Sequence, residues 1–335
     1  MTNIIFSRKE FEKHIKLTSD IQEKITSFGT PLESLNAESI EIEIFPNRPD
    51  LIPLEGFMRS FKKFLGKEPG LKKYKINKPE KDYKIIVDKS VKEVRPYTAC
   101  AIVKGIQLTD ERIKDIINTQ EKLALTIGRN RKKMAVGIYP LNKIKLPITY
   151  TAREPKDIKY HPLGSQRELT AQEIMMMHPT GIKYAHLLEN QKKYPIFIDS
   201  SKQILSMPPI VNSEHTGRID INTKDIFIEC SGSDKSTLKK TIAIITSALA
   251  EMDGKIYEME IIDSEKYITP NFETQKIKIS LENVNKLLGL KLTEAQMAQL
   301  IQKMGHNYHN GTSEVAAWRA DVLHEIDLIE DIAIA

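Results

Sequence analysis

Three carboxylates near the end of the chain, Asp327, Glu330 and Asp331, stand at i, i+3 and i+4, with Asp321 just upstream. On a helix this spacing brings the three onto a shared face. Hard oxygen ligands at that density suit magnesium, which takes a few carboxylates and keeps several waters. A solvated acidic face has the same spacing, so spacing alone leaves both readings open. A second group of chemical interest is Arg129, Arg131, Lys132 and Lys133, four cations within five residues. They suit phosphate contacts to a nucleic acid, and a solvated loop satisfies the run equally well.

The acidic group needs a helix to hold it, and the last seventeen residues, RADVLHEIDLIEDIAIA, supply one. Val322, Ile326, Ile329 and Ala333 recur at helical spacing and form one apolar face. A helix that stops at residue 335 lacks its C-cap, so its last turn is expected to fray. Upstream, Ser280 caps a short helix that Gly289 ends. Thr293 and Gln296 make a capping box for a second helix through Met304. Two strands flank Asn310-Gly311, the second reaching Trp318. Helix, helix, hairpin and acidic helix is a winged-helix-like order.

The rest of the chain reads as mixed α/β. Residues 1–75 open with a short helix from Ser7, then a period-two strand at Ile40–Ile44. The turn FPNRPD follows, where Asn47, Arg48 and Asp50 are expected to brace the backbone through side chain–backbone bonds. Leu54, Met58, Phe61 and Leu65 mark an amphipathic helix, and a lysine- and proline-rich linker succeeds it. Between residues 76 and 265 come strands near 85–87, 97–103, 134–138, 195–198 and 226–229. Two helices join them: one from Asp110 with Ile113, Ile116, Ile117 and Leu123 facing inward, and one over residues 236–251. Three domains are expected: 1–75, 76–265 and 269–335. The fold class is therefore multidomain α/β (α+β).

Composition adds bounds. The chain has 335 residues, 40% apolar and 28% charged, with a net charge of +5, which permits a nucleic-acid partner without requiring one. Cys100 and Cys230 have neither metal-ligand spacing nor close neighbours, which points to free buried thiols. No long apolar run or signal peptide is present, so a soluble chain with no membrane partner and a cytoplasmic location is expected.

Several segments together resemble the β subunit of phenylalanine–tRNA ligase of the archaeal and eukaryotic type. They are FPNRPDLIPLEGFMRSF, RPYTACAIVKGI, QEKLALTIGRNRKKMAVGIYPL, HPTGIKYAHLL, YPIFIDS, ILSMPPIVNSEHTG, DIFIECSGSD and the final acidic run. They cover nearly the whole chain in the family's order. In the family a Tyr-Gly-Tyr segment follows the acidic run, and the sequence stops before it. The resemblance implies an editing domain over 76–265 that hydrolyses tyrosine wrongly attached to phenylalanine tRNA. The final domain is then the winged-helix-like fifth domain. The resemblance also implies magnesium on Asp321, Asp327, Glu330 and Asp331, at a boundary with an α subunit. The resemblance further implies that ATP is used by the whole enzyme on the α subunit and is not bound by this chain. The implied partners are that α subunit, tRNA(Phe) and a C-terminal β half carried on a separate polypeptide or removed by truncation, in an α2β2 assembly.

Editing has a clear physical need. Tyrosine is phenylalanine plus one hydroxyl, and an apolar pocket rejects such an isostere by only about 10²-fold. A second site must read the hydroxyl with polar groups and position a water. The Pro208-Pro209 turn is expected to gather Ser206, Asn212, Ser213 and Glu214. Glu229 is the acid favoured for reading the tyrosyl hydroxyl, and His178 or His186 the group to orient the ester, although a lone His is commonly a satisfied core residue. Trp318 and Arg319 are expected to pack and pair locally. No GxSxG elbow suggests a serine nucleophile. Two alternatives remain: a freestanding deacylase acting in trans, and a nucleic-acid-binding regulator. The second is disfavoured because the helix in TEAQMAQLIQKMG has only Lys303 as a cation.

Overall fold

A computed structural model describes residues 2–335, and the chain divides into two compact units. The grouping differs from the three consecutive segments read from the sequence. Residues up to Tyr74 and residues from Phe272 onward share one unit, and Lys75–Asn271 form the other.

In the first unit the strands Thr2–Ser7, Ser39–Ile44 and Leu32–Leu35 make an antiparallel sheet with Ser39–Ile44 in the centre. Ile40, Ile42 and Ile44 are fully buried while the glutamates between them face outward, as the two-residue period dictates. Ser7 caps the helix Arg8–His14. The helix Leu54–Phe64 stacks Phe57, Phe61 and Phe64 against Phe6, Phe11 and Phe28. The bracing of the FPNRPD turn differs from expectation. Asn47 is exposed, and Arg48 pairs side chain to side chain with buried Asp50 through two bonds of 2.9 Å.

The later part of this unit follows the expected order. Ser280 and Gly289 bound the helix Leu281–Leu288, with Gly289 at φ 67°. The capping box of Thr293 and Gln296 starts Glu294–Lys303. Asn310 and Gly311, at φ 44° and 74°, turn the hairpin Asn307–His309/Thr312–Val315. The second strand stops at Val315, short of Trp318. There the chain bends so that the Trp318 ring lies under the Arg59 guanidinium at 4.2 Å and edge-on to Tyr74. Leu71 donates its N–H to Asn307 at 3.0 Å, which ties the end of the first segment to the hairpin.

The second unit is built on two sheets. One has five strands in the order Ile76–Asn77, Lys255–Tyr257, Tyr97–Lys104, Ile226–Gly232 and Met134–Pro140. The other has seven: Val211–Asn212, Ile204–Met207, Tyr194–Ile198, Ile148–Arg153, Lys84–Val87, Met259–Ile262 and Lys266–Thr269. Cys100, Ile102, Tyr139 and Phe227 from the first share a core with Ile85, Tyr150, Phe197, Leu205 and Ile261 from the second. The helix Lys235–Ala250, capped by Asp234, packs on the five-stranded sheet. Short helices Ala171–Met177 and Pro179–Tyr184 contribute to a smaller core with Ile196, Ile198 and Met207. Both cysteines are free and buried. Among the described residues no helix is long and apolar enough to cross a membrane.

Candidate active site

The strand Ile226–Gly232 is buried along its whole length, yet it carries a glutamate in the middle. Alternation puts Phe227, Glu229 and Ser231 on one face, and Phe227 belongs to the core between the sheets. Glu229 therefore points into that core, opposite Cys100 on one neighbour and Gly137 on the other. Only 2% of it is exposed.

Space for the carboxyl comes from Gly137. A Cβ there would lie 2.2 Å from the Tyr139 hydroxyl oxygen and 2.6 Å from Glu229 Oε1. G137A is expected to push the two side chains apart and to destabilise the second unit by about 1–3 kcal/mol, as overpacked cores do. A urea titration measures it, and an unchanged midpoint would show that the pair gives way freely.

Tyr139 Oη stands 3.2 Å from Glu229 Oε1 and 3.3 Å from Asn212 Oδ1. Glu229 Oε2 and the nearly fully buried Ser206 Oγ have no hydrogen-bond partner. Burial pushes the Glu229 carboxyl up to about 8, against the opposing pull of the Tyr139 hydroxyl, the Arg95 charge and the Ser231 and Ser206 hydroxyls. That charge is itself buried. Arg95 donates to the Ser231 carbonyl at 2.6 Å, the Ser231 hydroxyl at 3.2 Å and the Arg131 carbonyl at 3.2 Å.

Glu229 and Asn212 line a cavity of about 500 Å³ in this unit. Its walls come from the helix Asp110–Leu125, the edge strand Met134–Pro140 and the loop after Met207. This explains a departure from the expected core. Ile116 and Leu123 are buried, but Ile117 is 48% exposed and Ile113 only half-buried, because both face the cavity.

Other expected residues take different positions. His178 lines the cavity, but both ring nitrogens are engaged, one with the Leu163 carbonyl at 3.0 Å and the other with Thr180. His186 is exposed. Ser213 caps the short helix Glu214–Gly217, and Glu214 accepts from the Gly164 amide and pairs with Arg218. Both serve the loop's own structure.

The cationic run also divides. Arg129, Asn130 and Arg131 all have positive φ, a costly conformation that survives where surrounding contacts impose it. Here it turns Arg131 inward, onto the Pro209 and Ile210 carbonyls at 3.0 and 2.9 Å and over the Tyr184 ring at 4.2 Å. Burial lowers its pKa. Lys133 pairs with Asp234 at 2.9 Å. Arg129 and Lys132 are exposed. Arg131 is thus a brace of the cavity wall.

The four acids of the first unit do not converge. Arg319 grips Asp321 through two bonds of 2.8 and 2.7 Å and reaches Asp331 at 2.9 Å. His306 adds a contact of 2.9 Å to Asp331. The Arg319 charge holds the Asp331 carboxyl far below its usual range despite burial, and burial pushes His306 down. Asp327 accepts the Leu323 and His324 amides at 2.8 Å each, at the start of the helix Glu325–Ile334. Glu330 is exposed. Among the described residues no group of three or more His, Cys, Asp or Glu is placed to hold a metal ion. The four acids therefore do not fit magnesium as one ligand set within this chain.

The helix is also rotated from the expected face. Leu328, Ile329, Asp331 and Ile332 point inward, while Ile326 is 55% exposed and Ala333 is exposed. Arg319, 2% exposed, needs a counter-charge, and that need turns Asp331 into the core.

Sequence reasoning missed Tyr139, Arg95 and Gly137. Each lies in a segment that reads as an ordinary strand or its flank. The available signal was a Gly and a Tyr two apart, GIY, in an otherwise apolar run.

A family model described as the tRNA synthetase B5 domain matches residues 277–335. The phenylalanine–tRNA ligase β subunit of Archaeoglobus fulgidus is 38% identical over 334 residues, covering 97% of this chain and 60% of the relative. That of Methanocaldococcus jannaschii is 38% identical over 348 residues, covering 100% of this chain and 62% of the relative. The chain thus spans about three fifths of the length of these curated relatives. A crystal structure of an N-terminal fragment of the phenylalanyl-tRNA synthetase β subunit from Pyrococcus horikoshii matches with a TM-score of 0.94 and 33% identity, covering 99% of both chains. With one fold and one order of segments shared from end to end, the chain belongs to the phenylalanine–tRNA ligase β-subunit family.

Proposed function

We propose that the second unit is an editing site that hydrolyses the tyrosyl ester of tRNA(Phe). The chain would act beside an α subunit that attaches phenylalanine using ATP. The observation that carries this reading is a buried glutamic acid lining a cavity of mixed apolar and polar walls, with one carboxyl oxygen unpartnered. A volume of about 500 Å³ suits a guest the size of an aminoacyl group.

Ile113 and Ile117 line the cavity with apolar surface that suits an aromatic ring, and Glu229 would meet its hydroxyl. A phenylalanyl ring in the same place leaves the carboxyl unanswered, and that asymmetry gives polar sites their discrimination. The chemistry is attack of water on the ester carbonyl. The acyl–oxygen bond breaks, tyrosine leaves as the acid, and the tRNA ribose hydroxyl takes the proton. Ser206 Oγ is buried without a hydrogen-bond partner, and Ser213 is spent on the loop, so a serine acyl-enzyme is not favoured.

Magnesium at an α-subunit boundary would rest on exposed Glu330 and the half-buried Asp327 together with groups from outside this chain.

The test is release of amino acid from preformed tyrosyl-tRNA(Phe) by the purified chain, with phenylalanyl-tRNA(Phe) as control. Tyrosine is expected to be released at least about tenfold faster, the worth of one well-buried hydrogen bond. Equal rates for the two esters, with or without an added α subunit, would overturn the reading.

A further inference from the structure

We propose that Tyr139 is a positioning residue that makes Glu229 a neutral hydrogen-bond acceptor for the guest's phenolic hydroxyl. The inference rests on the editing reading above and deepens it.

The argument is a count of protons. A tyrosine hydroxyl has one proton to donate and lone pairs to accept with. Tyr139 Oη lies at nearly equal distance from two oxygens, Asn212 Oδ1 at 3.3 Å and Glu229 Oε1 at 3.2 Å. The amide oxygen of Asn212 can only accept, and the Tyr139 proton is assigned to it. The contact to Glu229 is then satisfied only if Glu229 Oε1 carries a proton and donates it to Tyr139. This leaves Oε2, buried and unpartnered, as the carbonyl-type oxygen of a carboxylic acid. Once a guest's entry uncovers it, such an oxygen accepts a phenolic O–H and offers nothing to a bare phenyl ring.

The surroundings agree. Arg95 is the charged group that acts on Glu229, and the other titratable neighbours, Tyr139, Tyr150, Cys100 and Cys230, are neutral. Arg95 spends its donors on Ser231 and the Arg131 carbonyl, with none to Glu229. Burial outweighs its attraction, and the carboxyl stays protonated through neutral pH. A neutral acid also spares the cavity an uncompensated buried charge.

The experiment compares hydrolysis of tyrosyl-tRNA(Phe) and phenylalanyl-tRNA(Phe) by four forms of the chain: wild type, E229A, E229Q and Y139F. Glutamine reproduces the neutral acid, since its N–H can donate to Tyr139 while its oxygen faces the guest. E229Q is therefore expected to keep the tyrosyl preference within about threefold, whereas E229A loses about tenfold or more. Y139F frees the Glu229 proton to either oxygen, and a loss of about three- to tenfold in preference is expected, with phenylalanyl ester release little changed. Wild-type preference is expected to stay level from pH 5.5 to 7.5.

If E229Q falls as far as E229A, Glu229 reads the hydroxyl as an anion and the proposal is overturned, although the editing reading stands. Y139F with unaltered preference removes Tyr139 from the role. Preference untouched by E229A would instead overturn the reading beneath the proposal, so the two failures are distinguishable.

Discussion

E229A is expected to fold normally and to lose its preference for the tyrosyl ester by about 10- to 100-fold, the range for a buried hydrogen bond to a group of this kind. The same residue makes stability depend on pH, with a sign that can be worked out. Its folded pKa, about 8, is above its ordinary value of 4.5. A raised carboxyl favours the protonated form in the native state. Its stabilising contribution is complete below about pH 4.5, declines as pH rises, and is gone above about 8. The loss over that window is on the order of a few kcal/mol.

Melting temperature is thus expected to fall between pH 5 and 8 in the wild type. E229Q, with nothing to titrate, is expected to flatten that slope and to be the more stable form above pH 8. Parallel slopes for the two proteins would show that Glu229 is not the group responsible.

The larger effect on folding is expected in the first unit. Arg319 is 2% exposed and holds two carboxylates, Asp321 and Asp331. R319M keeps much of the side-chain volume but leaves Asp331, 4% exposed, without its cation. Removing one partner of a buried pair costs about 3–5 kcal/mol, most of it the penalty of the stranded charge. The neighbouring acids grade the expectation. D327A gives up a helix-start contact worth about 1 kcal/mol, and E330A, at an exposed position, is expected to change stability by less than about 0.5 kcal/mol.

Urea midpoints of the three variants in the presence and absence of EDTA test this order. A chelator that lowered the wild-type midpoint as much as R319M does would reassign these acids to a metal. If E330A were the most damaging of the three, the Arg319 account would fail.

Much of the architecture could be read from local patterns, because its causes are local. The capping box at Thr293, the left-handed Gly289, the Asn310-Gly311 turn and the alternation of Ile40, Ile42 and Ile44 each follow from two to four neighbouring residues. Motif order carried the family and the choice of Glu229, since a glutamate amid a buried apolar strand stands out from its neighbours alone.

Long-range contacts decided the rest. Whether Asp327, Glu330 and Asp331 share a face depended on Arg319, which needed a counter-charge in the core and so rotated the helix toward Asp331. Arg131 looked like its exposed neighbours until three left-handed residues turned it onto carbonyls 78 and 79 residues away. Ile113 and Ile117 matched a core stripe and instead border a cavity. Tyr139 stood out locally only as the Tyr of a GIY run, because its role depends on Asn212 and Glu229, 73 and 90 residues distant. The sequence alone determined which elements form and which family they compose. Only the packing of distant strands decided which polar groups are left without water, and that desolvation sets their charge and their chemistry.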